Sequence, residues 1–174
     1  MQRNRPSPPH EEHAAATRPA SMKIRRATPA DAPAISRLIV PLVEKYVAYA
    51  FEPEAASRLL DSMSAAAVRS YIEGGYRYHL AEDERGLAGV VSTRDNRHLY
   101  HLFVADRARR RGLGTRLWRT ALAACRGAGH AGDVTVNSSR HAEGFYRRLG
   151  FQRERAVCRA GIVTIEMRYP AAPA

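Results

Sequence analysis

Cysteine is scarce in this chain: Cys125 and Cys158 are the only two, and they lie far apart. That excludes a disulfide framework and a cysteine-based metal knuckle, and it makes a reducing cytoplasm the expected setting. Long apolar runs are missing as well. None approaches the roughly 20 residues needed to span a bilayer. The N-terminus has no apolar stretch of the kind a signal peptide carries, so a soluble intracellular protein with no membrane partner is expected. Lysine is nearly absent, with Lys23 and Lys45 alone among 28 basic residues. No Gly-Lys pair exists, which removes the P-loop.

What is present is a chain of 174 residues, the size of one domain with one core. Its 28 basic and 17 acidic residues leave a formal charge of +11. A surplus made almost wholly of arginine either reflects coding bias or faces an anionic partner, a phosphate-bearing cofactor or nucleic acid.

Residues 1–21 hold Pro6, Pro8, Pro9 and Pro19 among polar neighbours, with no apolar period. A disordered tail is expected there, then one domain over 22–170 and a frayed end at 171–174. Lys23 to Ala27 reads as a short strand. Thr28-Pro29-Ala30-Asp31 opens a helix: Thr28 caps it, Pro29 suits the first helical position and Asp31 closes a capping box. Ile35, Leu38, Ile39 and Leu42 recur at helical spacing, and Pro41 is expected to kink or end that helix. An irregular aromatic stretch follows from Val43 to Phe51. Helical segments run from Pro53 to Ser64 and on to Ile72, before Gly74-Gly75.

The period then becomes strand-like. Strands at 77–82, 87–94 and 98–104, joined by short turns, form an antiparallel meander. A basic loop from Asp106 to Arg111 leads into a helix from Gly112 to Arg126, which buries Leu113, Leu117, Ala121 and Leu122. A strand at 133–136, a helix at 141–149 capped by Gly150, and strands at 152–159 and 162–168 close the chain. This order predicts a mixed α/β sheet covered by helices.

The most informative segment is Leu102-Phe103-Val104 followed by Arg109-x-x-Gly112-x-Gly114 and an amphipathic helix. A helix start carries unsatisfied N–H groups and partial positive charge. Glycines there let the backbone approach a phosphate. Arg107, Arg109, Arg110 and Arg111 add formal charge, and the Thr115 hydroxyl is within reach, so the arrangement suits a pyrophosphate. A dinucleotide fingerprint would need a third glycine where Leu117 stands.

Arg-x-x-Gly-x-Gly between a strand and a helix resembles the acetyl-CoA signature of the GNAT superfamily of N-acyltransferases. The resemblance covers about residues 23–168. It extends to Asn137, Ala142, Phe145-Tyr146 and Leu149-Gly150-Phe151, which match the family's Asn…Ala…Phe-Tyr…Gly-Phe pattern. It implies a mostly antiparallel twisted sheet flanked by helices and splayed between the fourth and fifth strands. It further implies that the N–H groups of Arg110 to Thr115, including Leu113, hold the pyrophosphate. The backbone of Leu102 and Val104 beside Phe103 pairs with the pantetheine arm as an added strand would.

The reaction so implied is attack of an amine on a thioester, with acetyl-CoA as co-substrate and no metal. Freeing the lone pair of a lysine-like amine at pH 7 costs about 4–5 kcal/mol, so a proton acceptor or water chain is needed. The oxyanion needs N–H donors, and the resemblance suggests the amide of Val104. Tyr146 matches the family tyrosine that protonates the coenzyme A sulfur; a packing role is the alternative. For the base, His98 stands eleven residues before Arg109, where histone-acetylating members carry a glutamate. Glu82, Tyr100 and an ordered water are rivals. Alternation puts His98, Tyr100, Leu102 and Val104 on one strand face and His101 on the other. Asn137 either contacts coenzyme A or caps a helix. The acceptor is expected between Val43–Phe51 and the strand carrying Tyr100, with Tyr46, Tyr49 and Phe51 as lining and Glu44 and Glu52 to attract a cation.

The leading expectation is therefore an N-acetyltransferase acting on a small-molecule or peptide amine. A regulatory protein of the same fold that binds acetyl-CoA and transfers little is the alternative. A nucleic-acid partner is disfavoured, because few aromatics accompany the arginines from 107 to 126. Dimers are common in the resembled family, which leaves a homodimer open.

Overall fold

Strand β1 (Lys23–Arg26) is short and pairs antiparallel with β2 (Arg77–Asp83), and β2 with β3 (Gly86–Arg94). These elements belong to a computed structural model that describes residues 22–171. The expected tail at 1–21 and most of the expected frayed end lie outside the described residues. β4 (His98–Val104) continues the antiparallel run, and β5 (Val134–Ser138) joins it in parallel. β6 (Gln152–Arg159) and β7 (Ile162–Tyr169) complete one seven-stranded sheet of order β1-β2-β3-β4-β5-β7-β6.

Helices cover both faces. On one side α1 (Ala32–Tyr46) and α3 (Ala65–Glu73) pack Ile35, Ile39, Val43 and Val68 onto Tyr78, Leu80 and Val90. On the other, α4 (Leu113–Gly127) and α5 (Glu143–Arg148) pack Leu117, Trp118, Ala121 and Tyr146 onto Val91, Leu99, Val136 and Met167. A short α2 (Pro53–Asp61) is tied to the β6–β7 turn by Arg58, which donates to the Ala160 carbonyl at 2.8 Å. No helix among the described residues is long and apolar enough to cross a membrane.

Two local expectations change. The start of α1 is preceded by a 3-10 turn at Pro29–Asp31, where the Asp31 carboxylate accepts from the Thr28 N–H at 2.8 Å. The helix does not end at Pro41 but continues to Tyr46, taking Val43 out of the irregular stretch. A proline inside a helix costs roughly 3 kcal/mol. Burying Ile35, Ile39, Leu42 and Val43 contributes about 1.5–3 kcal/mol for each side chain, which outweighs it.

The second change bears on the site. Ser92 pairs with His101 but Thr93 pairs with Leu99, so Tyr100 is the extra residue of a β-bulge. The bulge breaks the expected alternation. Tyr100 does not share a face with Leu102 and Val104, which pack toward α4. Its ring lies 5.2 Å from Tyr71 and 5.0 Å from Tyr76, on the same side as His101.

Candidate active site

The cleft is a consequence of how briefly β4 and β5 pair. Their register is His98 with Thr135 and Leu99 with Val136, and no further. On its other side β4 stays bound to β3. The Ala105 N–H donates to the Ala88 carbonyl at 2.8 Å, and Phe103 lies opposite Val90. In an antiparallel ladder the intervening residues turn their polar groups the other way. Leu102 and Val104 therefore present main-chain N–H and C=O to the gap. A cleft of about 660 Å³ occupies it, bounded by Leu102–Val104, the turn before α4, and α5 with Phe145, Tyr146 and Arg148.

The turn is built around two left-handed residues, Arg110 (φ 62°) and Gly112 (φ 74°), the latter standing just ahead of α4. The N–H of Arg116 returns to the Gly112 carbonyl at 3.0 Å, while among the described residues the N–H groups of 110–115 find no acceptor. Those groups, with the helix dipole behind them, leave a concavity whose donors and partial positive charge suit an anion. The two glycines serve different ends. Nothing lies within 4 Å of a Cβ built on Gly112, so its value is conformational. A Cβ on Gly114 would stand 3.0 Å from the Phe145 ring, so its value is close packing of α4 against α5.

The arginines divide likewise. Arg107 is ion-paired with Asp83, holding that carboxyl below its usual range, and donates to the carbonyls of Gly86 and Leu87. It is structural. Arg109 is held by Asp106 at 3.2 Å and by the Val104 carbonyl at 3.3 Å, with its guanidinium 4.0 Å from the Tyr46 ring centre. Arg110 lines the cleft with Gly112, Leu113, Gly114 and Thr115, whereas Arg111 is exposed and outside the lining. Arg148, one helical turn after Gly144, also lines the cleft; its register on α5 was the only sequence signal for it.

Of the proposed acid and bases, Tyr146 alone reaches this cleft. It is 6% exposed, and burial pushes its hydroxyl above the ordinary tyrosine range, so it is a protonated donor at neutral pH. His98 is not in the lining. Its Nδ1 is 2.8 Å from the Thr135 hydroxyl, and burial pushes it down to about 4. Glu82 is bound by Arg25 at 2.8 Å at the β1 edge. Tyr100 sits in the Tyr71–Tyr76 cluster, its hydroxyl pushed upward by burial. Asn137 lies in β5 opposite Glu166, outside the cleft, and is not a helix cap. In the turn ahead of α5 the Ser139 hydroxyl accepts from the Ala142 N–H at 3.3 Å. His101 is the buried core histidine: 3% exposed, 2.9 Å from the Tyr78 hydroxyl, and pushed by burial to about 3.

A smaller cavity of about 340 Å³ adjoins the cleft beneath Tyr46, Tyr49 and Phe51. Its opposite wall is Ser139, Arg140 and His141 after β5, with Val163 of β7, not the strand carrying Tyr100. Glu44 and Glu52 are exposed and do not line it. Tyr46 is fixed by a chain of contacts. Its hydroxyl donates to Asp106 at 3.0 Å, Lys45 binds the same carboxylate at 2.7 Å, and the His141 ring stacks on it at 4.9 Å.

A family model described as acetyltransferase (GNAT) domain matches residues 47–170. No curated protein matches the chain significantly. Among solved structures, the GCN5-related N-acetyltransferase of Rhodopseudomonas palustris is 21% identical at a TM-score of 0.71, covering 89% of this chain and 99% of its own. The PaiA N-acetyltransferase of Thermoplasma acidophilum, in complex with coenzyme A, is 15% identical at 0.70, covering 86% and 99%. An aminoglycoside 6'-N-acetyltransferase complexed with coenzyme A is 15% identical at 0.63, covering 87% and 98%. At these identities the likeness is one of fold.

Proposed function

Because the chain belongs to the GNAT acetyltransferase family, we propose that it transfers an acetyl group from acetyl-CoA to a primary amine, on a small molecule or a peptide, by direct attack in a ternary complex. The observation that carries this is the run of free N–H groups at 110–115 opening onto the same cleft as the main chain of Leu102 and the N–H of Val104. A diphosphate fits the first, and an extended amide-bearing arm fits the second.

Acetyl-CoA, when bound, supplies a thioester carbonyl and a good leaving thiolate. The chain's own groups supply the rest. The N–H groups of 110–115 hold the diphosphate and Arg110 adds charge at the rim. Leu102 and Val104 align the arm, with the Val104 N–H as donor to the carbonyl oxygen. The Tyr146 hydroxyl gives a proton to sulfur and regains one from solvent. An amine nitrogen loses one proton as its bond to carbon forms and the carbon–sulfur bond breaks.

Calorimetry with acetyl-CoA and thiol release with a panel of amines test this directly. Absence of binding heat would overturn it. A regulatory acetyl-CoA-binding protein is the second reading, favoured by the position of His98 outside the cleft. Tyr146→Phe and the parent protein separate the two: a drop in turnover of about 10²-fold with unchanged binding supports transfer, whereas a parent protein that binds acetyl-CoA and acetylates no amine of the panel supports the binder.

A further inference from the structure

The two cavities meet at four residues, Tyr46, Val47, Ser139 and His141, each of which lines both. Of these, His141 is the one whose side chain offers a nitrogen lone pair to a departing proton. The exposed His141 ring lies 23° from parallel with Tyr46, which orients it, and no hydrogen bond to its nitrogens is made among the described residues. The groups facing it are Tyr46 and, across Tyr46, Arg109 from the α4 turn, Tyr49 from the turn after α1, and Arg140 beside it. Glu143 of α5 is engaged by Arg153 at 3.5 Å and Arg147 at 3.9 Å. The smaller cavity is otherwise apolar and aromatic. Arg140 is the only residue with a formal charge in its lining, and no aspartate or glutamate contributes.

We propose that the smaller cavity receives the acceptor as an amine on an apolar body that also bears a carboxylate, with Arg140 pairing the carboxylate and His141 taking the proton released by the amine. This rests on the acetyl-transfer reading and names the substrate class of that site. A polycation would meet Arg140 with no carboxylate to offset it, whereas an aromatic amino acid matches both the apolar wall and the charge. In the step itself the nitrogen lone pair forms the new bond to the acyl carbon, and the carbon–sulfur pair leaves on sulfur. One nitrogen-bound proton passes to His141, which loses it to solvent, and sulfur takes a proton from Tyr146. The products are an amide and free thiol.

The test uses the full chain, acetyl-CoA, and phenylalanine, phenethylamine and spermidine as probe amines, with thiol release for turnover and calorimetry for acetyl-CoA binding. Phenylalanine should exceed phenethylamine in kcat/KM by about tenfold, the effect of one partly exposed charge pair, with spermidine lowest. Arg140→Ala should erase that preference through KM. For His141→Gln, kcat should fall about 10²-fold while acetyl-CoA affinity and the circular dichroism spectrum stay as they were. A preference for spermidine, or turnover of none of the three, overturns the substrate class. An unchanged kcat in His141→Gln overturns the role of His141. Failure of the parent protein to bind acetyl-CoA would instead sink the acetyl-transfer reading beneath it.

Discussion

The two halves of β4 behave as opposites. From His98 to His101 the strand carries the side chains that look most reactive, and the fold engages them: His98 with Thr135, Tyr100 with Tyr71 and Tyr76, His101 with Tyr78. From Leu102 to Val104 the side chains are plain hydrocarbons, and it is the main chain facing β5, at Leu102 and at the Val104 N–H, that is left without a strand partner. Titratable side chains in the first half maintain the core; unpaired amides in the second half make the cleft. Reactivity of a residue type is thus a poor guide to its use unless its partners are known.

The sharpest way to break the comparison is to remove a group from the engaged half. His101→Ala is expected to lower unfolding free energy by about 3 kcal/mol, from the cavity and the stranded Tyr78 hydroxyl. Acetyl-CoA affinity should not move; a parallel loss in calorimetry would show that the halves are not separate.

Next in size is a change on the open side. Gly114→Val forces a side chain against the Phe145 ring, 3.0 Å from the new Cβ, and overpacking of this kind costs about 1–3 kcal/mol. The acetyl-CoA Kd should rise about tenfold or more, and Phe145→Ala in the same chain should restore part of it. An unchanged Kd would mean that Phe145 moves aside freely.

Within β4, acid acts on the engaged half. Burial lowers His101 from 6.5 to about 3 and His98 from 6.5 to about 4. The unfolded chain therefore binds more protons below pH 6.5, and stability rises with pH across that window. The contribution is complete above 6.5 and is lost as pH falls toward 3. Between pH 7 and pH 5 His101 alone accounts for about 2 kcal/mol. Urea titrations at the two pH values measure it, and a His101→Leu protein should show a shallower fall. The smallest effect belongs to the turn. Arg110 adopts φ 62°, a conformation costing a non-glycine residue about 1 kcal/mol, so Arg110→Gly should raise the melting temperature by a few degrees. A lower melting temperature would show that the side chain repays its strain.

Much of this was legible in the sequence, and the remainder was hidden for identifiable reasons. Strand β4 at 98–104 and β6 at 152–159 have the bounds that alternation and turn residues predict, because those signals are local. The turn at Gly112 was legible for the same reason. The bulge at Tyr100 was not, since it is set by the register of Ser92 and Thr93 on the neighbouring strand. Nor could the arginines be sorted from sequence: Arg107 and Arg109 are claimed by Asp83 and Asp106, and the first of these lies 24 residues away. His141 escaped because its role depends on Tyr46, which reaches it only once α1 has packed.

The gap beside Leu102 and Val104 has a further consequence, for solubility. Unpaired strand edges recruit other chains when they sit at the margin of a sheet. Here the outer margins are a four-residue β1 and a β6 carrying Arg153, Glu154, Arg155 and Arg159, both poor templates. Among the described residues the inviting edge opens in the middle of the sheet order, between β4 and β5, roofed by α4 and α5. Only something as slender as a single extended molecule can enter there, so the protein keeps a sticky edge without offering it to its own copies.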